Sequence, residues 1–254
     1  MPPRRARKLK PYEKMINFLE TYKRAAGQYN VEQLQQVEDL YMPIIEKKGR
    51  KMPQLLQFAE DEVTAPQLRP LVDSYKESEV RIRFLSFLNT NSGDNGLHVL
   101  AHAFEEPLEI AGLAYHSNGV GPSGCRAIAR AFSSTKTLSV LELDFNPGIG
   151  DEGVASLVHY GHCPVMTKLS LRYCDIGDAG AAALGKWIAL ETCMIKELLL
   201  NGNKIGPQGA VAFAEGLAEN KSLVRVDLSD NLFGYDADAL QAMIDGISAC
   251  PTIQ

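Results

Sequence analysis

IKELLLNGNKIGPQG (residues 195–209) contains, in order, the three parts of a unit that recurs along this 254-residue chain. Leu198 and Leu200 alternate with other residues, which predicts a short strand with one buried face. Asn203 follows where the chain must turn, and its side chain is suited to bonding backbone groups that the turn leaves unpaired. Gly206 and Pro207 are typical of a tight corner and a first helical turn. The unit therefore predicts a strand, a turn and a helix.

The same unit occurs six times between residue 82 and the C-terminal part of the chain. The position of Asn203 recurs at intervals of 28 or 29 residues, and its occupants in order are Thr90, Asn118, Asn146, Cys174, Asn203 and Asn231. A period this regular predicts a repeat architecture, in which each unit packs only on its neighbours. We expect parallel strands on the inside and helices on the outside.

This pattern resembles the leucine-rich repeat, and the 28-residue length with Ile-Gly-x-x-Gly opening each helix is similar to the ribonuclease-inhibitor type. The resemblance covers residues 82 to about 253. It implies an α/β solenoid of about six β-α repeats with a parallel inner sheet and outer helices. We therefore assign residues 82–254 to a leucine-rich repeat domain. Such a fold does not by itself name a function.

The segment before the repeats has a different pattern. Apolar residues spaced by three and four assign residues 12–81 to a helical region that caps the repeats. We expect Pro43 to end the second helix, because proline lacks the N–H that a helix interior uses. The predicted helices are Tyr12–Ala26, a second through Val31–Tyr41, and short ones near Pro53–Glu62 and Pro66–Ser78.

Charge is distributed unevenly along the chain. Residues 1–51 hold twelve Lys and Arg against six Asp and Glu, whereas residues 52–254 have a net charge of -11. No apolar segment follows the first positive charges, which argues against a secretory signal. We interpret residues 1–11 as a basic arm that anchors the protein to an acidic surface, with a mitochondrial transit peptide as the alternative. The charged residues of the arm are Arg4, Arg5, Arg7, Lys8 and Lys10.

Several motifs suggest chemistry that the repeat explains better. Residues 119–124 and 148–153 match Gly-x-Gly-x-x-Gly, but the Ile-Gly-x-x-Gly part recurs where the first glycine is absent, so we do not predict a nucleotide site. His98 and His102 are spaced for one face of a helix, but the sequence offers no third metal ligand, and we expect them to be surface residues. Five scattered cysteines favour neither zinc nor disulfides. We predict no catalytic centre, no cofactor and no enzymatic activity.

The strand residues that alternate with the buried leucines are the candidate partner-binding site. They should point to the concave face of the sheet, opposite the helices. The first strands offer apolar and small side chains there, and the later strands offer mixed charge. Exposed apolar residues on the first strands would need a cover, either a partner or the N-terminal helices. The predicted contact residues are Phe84, Leu88, His116, Glu142, Asp144, Lys168, Arg172, Glu197, Asn201, Arg225 and Asp227.

These features predict a non-enzymatic scaffold within a large intracellular assembly. Similar repeat proteins include cytoskeletal and axonemal subunits, so we expect other subunits of a multi-protein complex as partners, with tubulin as an acidic surface for the arm. Alternatives are a ribosomal or mitochondrial assembly, an actin regulator resembling tropomodulin, and a regulator of an enzyme, as in ribonuclease inhibition or Ran GTPase activation. Nucleic acid is less favoured because the arm lacks aromatic residues for base stacking. No span suits a membrane, and we expect a cytoplasmic, cytoskeletal or ciliary location, or else a mitochondrial one.

Overall fold

The structure is a computed structural model that describes residues 8–105, 109–132, 135–160 and 164–253. These residues form nine helices and one parallel sheet of seven strands, which pair in the order of the chain. The strands are β1 Leu55–Ala59, β2 Phe84–Leu88, β3 Gly112–His116, β4 Val140–Glu142, β5 Lys168–Ser170, β6 Glu197–Leu199 and β7 Arg225–Asp227. The helices are α1 Pro11–Tyr29, α2 Gln35–Glu46, α3 Ala65–Glu77, α4 Gly93–Glu105, α5 Pro122–Phe132, α6 Gly150–Tyr160, α7 Asp178–Ile188, α8 Pro207–Glu219 and α9 Ala237–Ala249.

From α3 to α9, each helix packs against the next, and their buried apolar residues form one core with those of the strands. The second residue of each strand is apolar and points into the core between the two layers, as in Leu113, Leu141 and Leu169. The predicted α/β solenoid is therefore confirmed. The opposite face of the sheet is the concave face.

The sheet begins one strand earlier than the repeat pattern indicated. The helix predicted near Pro53–Glu62 is wrong, because Leu55–Ala59 is a strand that pairs in register with β2. Leu56 and Phe58 are buried on the core side of this strand. An apolar run this short has no clear period, and the neighbouring strand edge decides its conformation. The sheet thus starts inside the segment assigned to the N-terminal helical region, while the helix predicted near Pro66–Ser78 is confirmed as α3.

The first two helices form as expected, apart from the role of Pro43. Helix α2 begins at Gln35 and passes through Pro43 to end at Glu46, so the prediction that Pro43 stops the helix is wrong. Proline removes the bond that residue 43 would donate to the carbonyl of Asp39, yet the helix continues for three more residues.

An aromatic cluster joins α1 and α2 to α3. The ring of Phe18 lies 5.0 Å from that of Tyr41 and 4.6 Å from that of Tyr75, and the two tyrosine hydroxyls are 2.8 Å apart. Arg24 pairs with Glu77 at the exposed rim of this contact. The N-terminal helices are therefore docked on the helical layer at the start of the solenoid.

A ladder of buried polar side chains runs past the carboxyl ends of successive strands, at the predicted positions. Asn146 accepts hydrogen bonds from the backbone N–H groups of Asn118 and Val120, at 2.9 and 3.1 Å, and its amide donates to the carbonyls of Tyr115 and Leu143, both at 2.8 Å. Asn118 and Asn203 make equivalent bonds. The predicted structural ladder is confirmed.

Cys174 takes the asparagine position in one repeat. Its thiol lies 3.3 Å from the carbonyl oxygens of Leu143 and Arg172, so it can donate in place of the amide. Burial raises the pKa of this thiol to about 12, which keeps it protonated and able to donate. A cysteine at this position therefore preserves part of the ladder.

The recurring spacing of the two glycines in the repeats has a structural cause that the sequence did not show. The carboxylate of Asp151 accepts a hydrogen bond of 2.7 Å from the N–H of Gly177 in the next repeat and another of 2.9 Å from Gly180. A Cβ at Gly180 would lie 2.6 Å from that carboxylate oxygen. Asp94 and Asp178 hold the following repeats in the same way. The Ile-Gly-x-x-Gly pattern therefore serves contacts between repeats.

Candidate functional site: the concave face

The first strands leave an apolar notch in the concave face. It has a volume of about 360 Å³. Gly112 has no side chain to fill this space, and the ring of Phe84 lies over it, so that a Cβ at residue 112 would be 2.6 Å from that ring. The other lining residues include Leu55, Ser86, Ala114, Val140 and Glu142.

The large apolar residues beside the notch are open to solvent. Leu55 is 43% exposed, Phe84 42% and Leu88 37%. Helices α1 and α2 pack on α3 and on the edge strand β1, so they do not cover these side chains. The sequence left two possible covers for these residues, a partner or the N-terminal helices. The described N-terminal helices do not cover them.

Next to the notch, Glu142 lies between the side chains of Lys168 and His116. Its carboxylate is 2.6 Å from the Lys168 ammonium and 3.5 Å from the Nε2 atom of His116. The bond from His116 and then the pair with Lys168 lower the pKa of Glu142 to about 2, although burial opposes the shift. Glu142 is therefore ionised at neutral pH and holds both neighbours in place.

Asp144 lies beneath this network. It is only 5% exposed, and its Oδ1 atom accepts from the hydroxyl of Ser170 at 2.5 Å and from the backbone N–H of Arg172 at 3.0 Å. Its other oxygen faces the Nε atom of Arg172 at 3.7 Å and the Nδ1 atom of His116 at 3.8 Å. Asp144 thus positions its neighbours and offers little surface to a partner.

The last strands add separate polar groups to the concave face. Glu197 and Asn201 are half-buried and Arg225 is exposed. The carboxylate of Asp227 accepts a 2.7 Å hydrogen bond from the hydroxyl of Ser229, which lowers the pKa of Asp227. The structure therefore places the predicted contact residues from Phe84 to Asp227 on one continuous face.

Two exposed aromatic residues at the rim of this face were missed by sequence reasoning. Phe145 and Tyr173 are 50% and 41% exposed, and their rings stack with centroids 4.9 Å apart. Both have a left-handed backbone, with φ of 58° and 52°. Bulky residues rarely adopt this conformation, which favours Gly, Asn or Asp. We call this pair the aromatic ledge.

A signal for the ledge exists in the repeat. The residue before each ladder position has a positive φ, at Asn89, Ser117, Phe145, Tyr173, Gly202 and Asp230, and so does Glu60, which follows β1. Five of these seven residues are polar or glycine, so an aromatic residue stands out. An alignment of the repeats on their turn geometry would have shown it.

Only part of the predicted basic arm lies in the described residues. Arg4, Arg5 and Arg7 fall outside them. Lys8 and Lys10 are exposed, and the Lys10 ammonium lies 5.9 Å from the ring of Tyr12. The prediction that the arm binds an acidic surface therefore stays a prediction.

The two histidines spaced by four residues on α4 are both exposed. His98 is exposed on α4 and lies 3.1 Å from the hydroxyl of Ser123. In the described part of the chain, no group of three or more His, Cys, Asp or Glu could hold a metal ion. Among the helices that the structure describes, none combines the length and apolar character required to cross a bilayer.

Comparisons with known proteins agree with this architecture. A family model described as leucine-rich repeat matches residues 136–158, 162–185 and 193–214. The chain is 29% identical to the ribonuclease inhibitor of Sus scrofa over 173 residues, which cover 65% of this chain and 36% of that protein. It is 30% identical to the Tonsoku-like protein of Bos taurus over 203 residues, which cover 71% of this chain and 14% of that protein. The match to the ribonuclease inhibitor of Mus musculus is 25% over 152 residues, or 59% of this chain and 33% of that protein.

The chain thus spans about a third or less of the length of these relatives. It is a leucine-rich repeat protein of the ribonuclease-inhibitor type.

Proposed function

We propose that this protein is a non-enzymatic scaffold that binds a partner protein on its concave face. The observation that carries the proposal is the open apolar notch beside Phe84 and Gly112, on the face of the sheet opposite the helices. Exposed apolar side chains around a cavity favour a contact that removes them from water.

The parts of the concave face have the composition of a protein interface. The notch supplies an apolar centre that a large partner side chain would fill. Beside the notch, the Glu142 carboxylate is already paired with Lys168 and lies 3.5 Å from His116, so the geometry there is set before a partner arrives. The aromatic ledge at Phe145 and Tyr173 provides rigid rings of the kind that dominate binding energy.

A photoreactive residue tests which face is used. Benzoylphenylalanine at Phe84 places the reactive group at the notch, and the same residue at Lys186 places it on the exposed surface of α7 as a matched control. In cells, we expect the residue-84 variant to cross-link to a defined partner and the residue-186 variant not to. Equal cross-linking from both positions, or none from residue 84, would contradict the proposal.

We also propose that residues 1–11 anchor the scaffold to an acidic surface of a large cytoskeletal assembly, with the microtubule lattice as the specific candidate. The support is the excess of positive charge in residues 1–51 against a net charge of -11 in residues 52–254. Co-sedimentation with microtubules and with actin filaments tests this. The protein should pellet with microtubules, and deletion of residues 2–11 should abolish pelleting. Recovery with neither filament would refute the anchoring proposal without affecting the concave face.

A second candidate function is regulation of an enzyme, which the similarity to two ribonuclease inhibitors favours. Titrating the protein into a pancreatic-type ribonuclease assay distinguishes the two. The scaffold proposal predicts unchanged ribonuclease activity. Stoichiometric inhibition that is lost in a Phe145→Asn variant would favour the regulator.

A further inference from the structure

A polar groove lies between helices α4 and α5, on the exposed side of the helical layer. It has a volume of about 360 Å³, and we call it the outer groove. Ala101 and Ala127 line it with small, buried side chains, which leave room for a compact group. The other described residues of its lining are polar and supply hydrogen-bond donors: His98, His102, Ser123, Arg126 and Arg130.

Each of the two helices presents a pair of these side chains to the groove. His98 and His102 are four residues apart on α4, which places them on one side of that helix. Arg126 and Arg130 have the same spacing on α5, and all four side chains are exposed. At one end of the groove, the hydroxyl of Ser123 lies 3.1 Å from the Nε2 atom of His98. The groove therefore has donors on both sides.

The arginines bring positive charge to a part of the chain that is otherwise acidic. Residues 52–254 have a net charge of -11, yet α5 contains neither Asp nor Glu. Of the two acidic residues of α4, Glu105 is its last residue, and the carboxylate of Asp94 accepts a 2.7 Å hydrogen bond from the N–H of Gly121. Among the residues that the structure describes, Arg126 has no hydrogen-bond or ion-pair partner. Its guanidinium is thus available to an anion.

The repeat does not require polar side chains at these places. The second, fifth and ninth residues of α5 are Ser123, Arg126 and Arg130. Helix α7 packs into the same helical layer, and its residues at these places are Ala179, Ala182 and Lys186. The fold therefore accepts small side chains where α5 carries a hydroxyl and a guanidinium, and core packing does not explain the polar set.

A phosphate monoester suits this arrangement of donors. A guanidinium binds phosphate oxygens through paired N–H groups, and imidazole and hydroxyl groups also donate. A phosphate monoester carries a charge of about -1.5 to -2 at neutral pH and three acceptor oxygens, so it can bond to both sides of a groove. A nucleic-acid backbone would extend beyond the groove towards the exposed Glu152 at the start of α6, where it would be repelled.

We propose that the outer groove binds a phosphorylated segment of a partner protein, with Arg126 and His98 donating to the phosphate from opposite sides. The groove lies in the helical layer, away from the concave face. The proposal therefore does not depend on the function proposed above.

The test uses the isotope-labelled full chain and blocked peptides of sequence Ala-Ala-X-Ala-Ala, in which X is phosphoserine, glutamate or serine. Shifts of the backbone amide signals in NMR spectra locate the binding and give the Kd. We expect the phosphoserine peptide to shift amides of α4 and α5 with a Kd of about 1 mM or below, which rises with salt. The glutamate peptide should bind at least about fivefold more weakly, and the serine peptide should not bind.

Variants assign the binding to the groove. Arg126→Gln should raise the Kd of the phosphoserine peptide more than about fivefold, and His98→Asn should raise it about twofold. Arg126→Lys keeps the charge but loses the paired donors, so its Kd should lie between those of Arg126→Gln and the natural chain. Lys186→Gln is the matched control, because it removes an exposed cation from α7, and it should leave the Kd unchanged. Thermal melting verifies that each variant folds.

Several results would overturn the proposal. An unchanged Kd in Arg126→Gln, or an equal rise in Lys186→Gln, would place the peptide outside the groove. Equal binding of the glutamate and phosphoserine peptides would remove the requirement for phosphate. Displacement of the phosphoserine peptide by a thymidine oligonucleotide of about 12 nucleotides that binds more tightly to the same amides would assign the groove to a nucleic-acid backbone.

Discussion

Neighbouring positions of the same strands behave in opposite ways. The second residue of the strands points to the core and is Leu or Val in every repeat from Leu85 to Val226. The first residue points to the concave face and changes at every step, in the order Leu55, Phe84, Gly112, Val140, Lys168, Glu197 and Arg225. Core packing restricts the second position to Leu or Val, whereas the first position accepts side chains of different size and charge.

This difference separates stability from recognition. The positions that repeat make the same contacts in each unit, so the array depends on them for folding. The positions that do not repeat give the concave face its change from apolar to charged. Substitutions in the two sets should therefore have effects of different size on unfolding, and four variants test this in decreasing order.

The largest effect is expected at the ladder. Asn146→Ala removes the acceptor for the N–H groups of Asn118 and Val120 and the donor for the carbonyls of Tyr115 and Leu143. Buried groups without partners are costly, and we expect the free energy of unfolding to fall by about 3 kcal/mol. Urea denaturation measures it. A loss below about 1 kcal/mol would mean that the ladder does not hold the repeats together.

The glycine contacts between repeats should have the next largest effect. In Gly180→Ala the new Cβ would meet the carboxylate of Asp151 at 2.6 Å, and we expect a loss of about 2 kcal/mol in the free energy of unfolding. Gly27→Ala is the matched control, because no atom lies within 4 Å of its added Cβ, and it should stabilise helix α1 by about 0.5 kcal/mol. Equal effects from the two substitutions would contradict the proposed role of Asp151.

A smaller, pH-dependent effect is expected in the charged network. The pKa of Glu142 is lowered from 4.5 to about 2 in the folded state. Its ionised form therefore stabilises the fold above pH 4.5, and that stabilisation is lost as the pH falls from 4.5 towards 2. At pH 7 we expect Glu142→Gln to unfold about 1 kcal/mol more easily than the natural chain.

Unfolding followed across this pH range tests the assignment. The difference between the Glu142→Gln variant and the natural chain should disappear as the pH approaches 2. A difference that is constant with pH would show that the contacts of ionised Glu142 with His116 and Lys168 do not stabilise the fold.

The smallest effect is expected at the aromatic ledge. Phe145→Asn replaces a bulky residue at φ of 58° by one that tolerates this conformation, which offsets the lost stacking on Tyr173. We expect the free energy of unfolding to change by less than about 0.5 kcal/mol, measured in the same urea titration. A loss above about 1.5 kcal/mol would indicate that the ledge holds the structure together and is not kept for binding.

The repeat could be predicted from sequence because period and residue type specify it. Leucine alternation and the asparagine spacing predicted the strands, the helices and the ladder. The strand at Leu55–Ala59 was missed because it lacks the Asn and Gly that mark the other repeats, and pairing with β2 decides it. The Asp151 contacts with Gly177 and Gly180 were missed because they join different repeats.

The concave face could be predicted as a surface but not as a site. Alternation placed Phe84 and Glu142 on it correctly. The notch arises from the absence of a side chain at Gly112 beneath Phe84, and the ledge arises from a backbone conformation at Phe145. The notch depends on the contact between Phe84 and Gly112 in different repeats, which no single repeat reveals, whereas an alignment of the repeats would have shown the ledge.

The most direct test of the separation between stability and recognition is a paired measurement on one variant, Phe84→Ser with Leu88→Ser. The melting temperature of this variant is compared with that of the natural chain. Both chains are also tested for recovery of the partner that the residue-84 photo-cross-link identifies. We expect the melting temperature to change by no more than about 2 °C while partner recovery is lost. Full recovery of the partner, or a melting temperature lowered by more than about 8 °C, would contradict the account.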